Sequence, residues 1–400
     1  MNKLSLKDLD LKNKRVLMRV DFNVPQDPTG RITDDSRIRA SIPSIEYVLN
    51  HGASLILISH LGRPKKPDPK FSLLPCAQKL STLLGKPVPL APDCVGAAVE
   101  KMAKQLQPGQ ILMLENVRFH PAEEEPEIDP QFTLGLAKLG DLYVNDAFGS
   151  AHRAHASTAL IAKSFPGKAA AGFLLQKEIQ FLDPLLHNPP RPFFAILGGA
   201  KVSTKIGVIH SLLKRVDALF LGGAMAFTFL KVQGMSIGQS LFEPSEIQTA
   251  QTILANVKQL YLPSDLIMAD AFANDAKRRT ILTAQGIPDG WQGMDIGPQT
   301  IQCWSQILQS AVTVFWNGPL GVFEMPHFAQ GTHAIAQTLA NSKAQVIVGG
   351  GDSVAAIQQM GLATHFAHLS TGGGAALEFL EYGHLPGIDA LSNSKSVLSN

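Results

Sequence analysis

The stretch Ala195-Ile-Leu-Gly-Gly-Ala-Lys-Val-Ser-Thr-Lys205 constrains the fold more than any other in the chain. Phe193 to Ile196 is a continuous apolar run of strand type, Gly198 and Gly199 break it, and Lys201 leads into helical spacing at Val202, Ile206, Ile209 and Leu213. This order predicts strand, glycine turn, helix start. A helix start offers unpaired N–H groups and the positive end of the macrodipole, and glycine lets a bulky anion approach the backbone. The spacing predicts Lys201 and Lys205 on one helix face, both directed at that anion.

The pattern then recurs. Leu219-Phe-Leu-Gly-Gly, Val312 to Gly318, Val346-Ile-Val-Gly-Gly-Gly-Asp352 and His368-Leu-Ser-Thr-Gly-Gly-Gly374 each end an apolar run in glycine. Five such turns in one half of the chain predict bare backbone along one rim of a parallel sheet, a site for polyphosphate. Tight packing accounts for one or two of them.

In the first half, Val16 to Phe22, Leu55 to Ser59, Ile111 to Leu114 and Leu142 to Val144 are buried-type runs separated by amphipathic segments such as Ile38 to Leu49 and Pro75 to Leu84. That alternation predicts βα units and a parallel sheet covered on both faces. Polar residues follow each run: Asp21 and Asn23, His60 and Arg63, Arg118, then Asn145, Asp146 and Arg153. Ligands in open α/β sheets bind at the carboxyl ends of the strands, so these residues are expected to converge on an arginine-rich crevice. The helical pattern from Phe173 to His187, followed by Asn188-Pro-Pro-Arg-Pro192, predicts a hinge.

With 400 residues the chain calls for two cores. The expected architecture is two doubly wound, Rossmann-like parallel-sheet domains, residues 1–172 and 193–384, joined by a hinge helix and linker over 173–192. A formal charge of +2 argues against nucleic acid or an anionic membrane as a partner. The longest uncharged apolar stretch, Ala218 to Leu230, contains a glycine pair and falls short of the roughly 20 residues that span a bilayer. Cys76, Cys94 and Cys303 form neither a disulfide framework nor a metal-ligand spacing, which fits a reducing cytoplasm.

Two familiar phosphate motifs are missing: no G-x-x-x-x-G-K-[ST] and no G-x-G-x-x-G occurs. The absence of the second counts against a nicotinamide-dependent dehydrogenase. A non-catalytic nucleotide-binding protein would give no reason for the arginine cluster. Instead the chain resembles the phosphoglycerate kinase family over nearly its whole length. The motifs are Arg19-Val-Asp-Phe-Asn-Val-Pro25, Ser59-His-Leu-Gly-Arg-Pro64, Glu115-Asn-Val-Arg-Phe-His120, Val144-Asn-Asp-Ala-Phe-Gly149 with Ala151-His-Arg-Ala-His155, Leu197 to Val202, Trp316-Asn-Gly-Pro-Leu-Gly-Val-Phe-Glu324, Gly349-Gly-Gly-Asp352 and Ser370-Thr-Gly-Gly-Gly374.

The resemblance implies phosphoryl exchange between MgATP and the carboxylate of 3-phosphoglycerate, in a cytoplasmic monomer. On the acceptor side it implies Asp21 and Asn23 at the substrate hydroxyl and carboxylate, His60, Arg63, Arg118 and Arg153 at its phosphate, and Arg37 at the transferring group, with Arg19, His152 and His155 as structural neighbours. On the nucleotide side it implies Lys201 and Lys205 at the phosphates, Lys205 following the transferring group. Gly199, Gly222 and Gly223 would border adenine, Pro319 the nucleoside, Asn317 the phosphates and Glu324 the ribose. Gly350, Gly351, Asp352 and Ser353 would surround the phosphates, with Asp352 on Mg²⁺, and Gly373 would open a helix toward the γ-phosphate. The family's last residues return to the first domain, so 385–400 is expected to do so here. Read singly, Asp21 serves equally as a turn cap, His60 as a core histidine, Arg37 as a solvated helix start and Asp352 as a helix cap.

Overall fold

The computed structural model describes residues 1–256 and 259–394. The chain divides into two compact units, Met1–Gln180 with the C-terminal residues from His384, and Phe181–Gly383. The division falls inside the helix Phe173–His187.

The first unit is built on β1 (Arg15–Arg19), β2 (Ser54–Ile58), β3 (Ile111–Met113), β4 (Leu142–Asn145) and β5 (Ala169–Ala171). They form one parallel sheet in the order β3-β2-β1-β4-β5. Residues 16–19 and 54–58 have almost no exposure, which is why their apolar runs are continuous instead of alternating. Helices Ser36–Asn50 and Leu74–Leu84 bury Ile38, Ile45, Val48, Cys76 and Leu80 in the core that β1 and β2 share. The strand β5 is three alanines, too weak a β signal to foresee. It is held from both termini: Ala171 N–H donates to Leu4 O at 2.8 Å, and Ser392 N–H to Ala169 O at 2.9 Å. Gly387 N–H also donates to Ala151 O at 2.8 Å. Residues 385–394 thus lie on this unit; the remainder of the segment expected to return, 395–400, lies outside the described residues.

The second unit contains β6 (Phe193–Leu197), β7 (Ala218–Leu221), β8 (Leu260–Tyr261), β9 (Asp265–Ala269), β10 (Arg278–Leu282), β11 (Gln292–Ile296), β12 (Thr313–Asn317), β13 (Gln345–Gly349) and β14 (His368–Leu369). Six strands form a parallel sheet in the order β14-β13-β12-β6-β7-β8, so the five glycine-terminated strands all end on one edge. Trp316, Phe220 and Trp304 fill the core on one face. A second sheet, β10-β9-β11, is antiparallel. Sequence patterning missed it because its outer strand, Arg278-Arg-Thr-Ile-Leu282, is mostly exposed and reads as loop. Its inner strand β9 is anchored by Asp265, whose carboxylate accepts from Gln299 N–H at 3.0 Å and Thr300 N–H at 2.7 Å, the first turn of the helix Pro298–Leu308.

One expectation fails here. The helix after β6 is Ile206–Leu213 and starts only at Ile206, so Lys201 and Lys205 do not share a helical face. The intervening residues form turns, with Lys205 N–H donating to Val202 O at 2.8 Å. Helical periodicity at Val202 came from a buried loop residue that anchors this turn.

Candidate active site

In the first unit the basic residues gather beyond the carboxyl ends of β1 to β4. Arg37, in the first turn of its helix, donates from Nη1 to Asp21 Oδ2 at 2.7 Å. Asp21 Oδ1 also accepts from Asn23 N–H at 3.2 Å, so this residue caps a turn and holds an arginine at once. Asn23 Oδ1 accepts from Gly62 N–H at 2.9 Å, tying the β1 loop to the β2 loop, and Arg118 Nη1 donates to Gly62 O at 2.7 Å. The second Arg118 nitrogen pairs with Glu124 at 3.0 Å. Arg63 and Arg153 are exposed.

His60 is buried, and Arg19 Nη2 lies 3.0 Å from its Nδ1. A guanidinium can only donate, so Nδ1 accepts and the ring proton sits on Nε2. Burial, then the charges of Arg19, Arg118, Arg37 and His155, hold its pKa well below the ordinary value. A neutral Nε2–H donor results, suited to an anionic oxygen. His155 is pushed down to about 4 by burial and by Arg118, Arg19, Arg153 and His152. These mutual influences show that Arg19, Arg37, His60, Arg118, Arg153 and His155 share one electrostatic neighbourhood. Arg19 and His155, expected as structural neighbours, are part of it.

Sequence reasoning missed the counter-ion. Glu123 lies in Glu123-Glu-Glu125, which reads as a solvated acidic run, yet it is fully buried. Its carboxylate accepts from Ser157 Oγ at 2.7 Å and Ser157 N–H at 3.0 Å, and Ser157 Oγ accepts from Arg19 Nε at 2.8 Å. Burial raises the Glu123 pKa while Arg19 opposes that rise. Nothing in the sequence marks which of three glutamates is inside.

In the second unit a cleft of about 420 Å³ opens at the glycine edge, lined by Gly199, Gly223, Pro319, Glu324 and Asp352 together with apolar Phe227, Leu241, Met294 and Leu320. Leu241 and Phe272, 56% and 64% exposed, stand at its wall as unusually bare apolar side chains. An apolar slot with carboxylates among its lining suits a flat heteroaromatic base carrying polar substituents.

The glycines divide into two kinds, with packing the main role at three of the five turns where one or two were expected. After β6, β7 and β12 the N–H groups are already spent: Gly198 donates to Asn317 O at 2.9 Å, Gly199 to Pro319 O at 2.8 Å and Gly223 to Leu320 O at 3.1 Å. Gly318 donates to Ser353 Oγ at 2.7 Å. A Cβ at Gly198 would fall 2.1 Å from Pro319 O, and one at Gly222 would fall 2.5 Å from Leu320, so these glycines let three loops pack. Gly222 is not among the residues lining the cleft. By contrast Gly351, Gly373 and Gly374 have open space where a side chain would be. They start the helices Gly351–Gln359 and Gly374–Tyr382, which leaves two helix N-termini at this edge for an anion. Gly350 and Gly373 are the N-cap residues and adopt positive φ, 90° and 52°. Asp352 lies in the first turn of its helix, where an acid favours the helix dipole, and its exposed carboxylate also lines the cleft.

Lys205 is buried, with Nζ donating to Gly198 O and, at 3.0 Å, to Asn317 O. Burial pushes its ammonium down to about 8, opposed by the charge of Asp352. Asn317 is buried as well, and its Nδ2 has no partner, a donor awaiting an acceptor. Ser353 is spent on Gly318, so its hydroxyl fixes a loop. Lys201 is exposed and influences Glu243. A further carboxyl, Asp295, lines the cleft and was not foreseen: burial raises it to about 7 although Gly331 and Ile296 N–H groups donate to it at 2.7 and 2.9 Å.

Comparison with known proteins gives the family. The family model described as phosphoglycerate kinase matches residues 6–383. A phosphoglycerate kinase of Koribacter versatilis is 56% identical over 405 aligned positions, covering 98% of this chain and all of that one. A cytosolic phosphoglycerate kinase of Triticum aestivum is 53% identical, covering 98% of each. The solved structure of phosphoglycerate kinase from Coxiella burnetii superposes with a TM-score of 0.86 at 42% identity, covering 97% of this chain and 98% of that one.

Proposed function

The chain belongs to the phosphoglycerate kinase family, and from that premise we propose that its two units divide the reaction, the arginine-rich crevice taking 3-phosphoglycerate and the glycine-edged cleft taking ATP or ADP. The activity is reversible phosphoryl transfer between ATP and the carboxylate of 3-phosphoglycerate, a kinase step of glycolysis. The observation that carries the division of labour is the gathering of Arg37, His60, Arg118 and Arg153 around one crevice, in which Asp21 pairs with Arg37 and Glu124 with Arg118.

A carboxylate acceptor is ionised at neutral pH, so no general base is needed. One acceptor oxygen attacks the γ-phosphorus, and the bond to the β–γ bridging oxygen breaks with ADP as leaving group. The difficulty is anionic repulsion. Arg63, Arg118, Arg153 and the Nε2–H of His60 would hold the acceptor's phosphate, with Asp21 and Asn23 at its hydroxyl and carboxylate. Arg37 and Lys205 would meet the transferring group, where planar and point charges offset the charge that develops on its oxygens. Asn317 Nδ2, the helix start at Gly373 and the backbone at Gly350 and Gly351 would add neutral donors, with Lys201 at the entrance. Gly199, Gly223 and Pro319 would flank the base, and Glu324 would accept from ribose hydroxyls.

The exposed, hard carboxylate of Asp352 at the cleft suits Mg²⁺. Mg²⁺, when bound with nucleotide, supplies charge neutralisation of the phosphates. We place the enzyme in the cytoplasm as a monomer; the cytosolic wheat relative supports the setting, and no helix among the described residues is long and apolar enough to cross a membrane.

Incubation with MgATP, 3-phosphoglycerate and hydroxylamine is expected to yield hydroxamate only when both substrates and Mg²⁺ are present. Folded, ADP-binding protein that makes none would refute the reading. We further propose that 1–172 and 193–384 act as the two lobes and close about 173–192 to exclude water. Small-angle scattering is expected to give a smaller radius of gyration with both ligands than with either alone; an unchanged radius counts against closure.

A further inference from the structure

The three cysteines have no metal-ligand spacing in sequence, but topology brings one of them to a histidine. In the first unit Asp93, Cys94 and His120 each direct one ligand-type atom into a space where all lie within 4.8 Å of one another. His120 Nε2 is 2.6 Å from Asp93 Oδ1, the side chains being 29% and 50% exposed. The buried Cys94 Sγ donates to Glu115 O at 2.9 Å, and Cys94 N–H donates to Asp93 Oδ1 at 2.6 Å. The imidazole ring is stacked on Phe132 with centroids 4.7 Å apart, which fixes its plane. None of these three residues has a part in the acceptor crevice or the nucleotide cleft described above.

We propose that Asp93, Cys94 and His120 form a binding site for one borderline-soft divalent cation of the zinc type, completed by water on the exposed side. Thiolate, imidazole and carboxylate together select zinc over magnesium or calcium, which prefer all-oxygen sets. A tetrahedral zinc ion with ligands at its usual bond lengths places them roughly 3.3 to 3.6 Å apart. The three ligand atoms, within 4.8 Å of one another, reach that geometry if Asp93 gives up its 2.6 Å contact with His120 and the wider separations close by about 1 Å. Binding releases the thiol proton of Cys94 to solvent; a neutral His120 keeps its proton by shifting it to Nδ1, so one proton is lost, and an imidazolium gives up a second. Glu115 O then loses a donor.

Cobalt(II) tests the geometry because its spectrum reports ligand number and type. Full-length protein carrying Cys303→Ala, which removes the exposed thiol, is titrated with Co²⁺ in excess Mg²⁺. The expected result is one equivalent bound with intense visible tetrahedral bands and a near-ultraviolet thiolate charge-transfer band, both bleached by Zn²⁺. Cys94→Ser removes the charge-transfer band, and His120→Gln or Asp93→Asn weakens Co²⁺ binding at least tenfold. If Cys94→Ser fails to fold, the two partly exposed positions decide. Weak octahedral absorption, or bands unchanged by His120→Gln and Asp93→Asn, overturns the proposal.

Discussion

Replacement of Lys205 by methionine is expected to lower kcat by a factor of about 10² to 10³, the usual loss when one donor to a developing negative charge is removed, while the ligand-free protein becomes slightly more stable. The two effects have one cause. Burial holds the Lys205 ammonium near 8 against an ordinary 10.5, so keeping it charged inside the fold costs on the order of 3 kcal/mol at neutral pH. Methionine removes that cost but takes the Lys205 donor from Gly198 O and from Asn317 O, the latter keeping the Gly198 N–H, a penalty of about 1 to 3 kcal/mol. The balance is a gain on the order of 1 kcal/mol, read as a rise of roughly 2 to 4 °C in the unfolding midpoint. A lowered midpoint would show that the lysine contributes net stability to the resting fold.

The same depressed ammonium sets a pH dependence. Between about 8 and 10.5 the unfolded chain holds the proton and the folded chain does not. The Lys205 contribution to stability therefore rises with pH through that window, and the penalty is complete below it. Nucleotide phosphates bound beside Nζ would pull the value back up, so binding ATP at pH 8.5 is expected to take up protons. Calorimetry in buffers of different ionisation enthalpy measures this, and zero uptake would place the phosphates away from Lys205.

Arg37→Ala is expected to reduce kcat by about 10² to 10³ with little change in KM for 3-phosphoglycerate. Arg37 is held by Asp21 at 2.7 Å, on a helix start, with its side chain 35% exposed. It is positioned beforehand and still faces solvent, which suits a charge that acts on the transferring group and not on the bound acceptor. Loss of an interaction made only in the transition state lowers kcat and kcat/KM together. Arg37→Lys is expected to recover only part of the rate, because a point charge on a flexible stem lacks the planar fork. A KM raised tenfold with kcat intact would move Arg37 to ground-state binding of the acceptor.

The acceptor crevice was legible because strand ends in a parallel sheet must converge, so His60, Arg63 and Arg118 could be grouped from order alone. Its interior was not. That Arg19 orders His60, and that Glu123 is the inside member of three consecutive glutamates, depends on how the β1, β3 and β4 loops fold over one another. The nucleotide cleft shows the opposite error. Local periodicity placed Lys201 and Lys205 on one helix, whereas tertiary contacts to Gly198 and Asn317 hold Lys205 in a turn. Likewise five glycine turns looked equivalent, and only contacts with neighbouring loops separate the packing glycines, Gly198 and Gly222, from the open ones, Gly351 and Gly373.

Sequence by itself determined the two parallel sheets, the family and the edge on which the glycine turns gather, because continuous apolar runs and glycine breaks act locally and repeat. Tertiary structure alone decided which groups are buried, which tautomer His60 carries, which backbone donors remain to meet an anion, and that Cys94 stands beside His120. Each of those depends on desolvation and on partners distant along the chain, and neither is written in the spacing of residues.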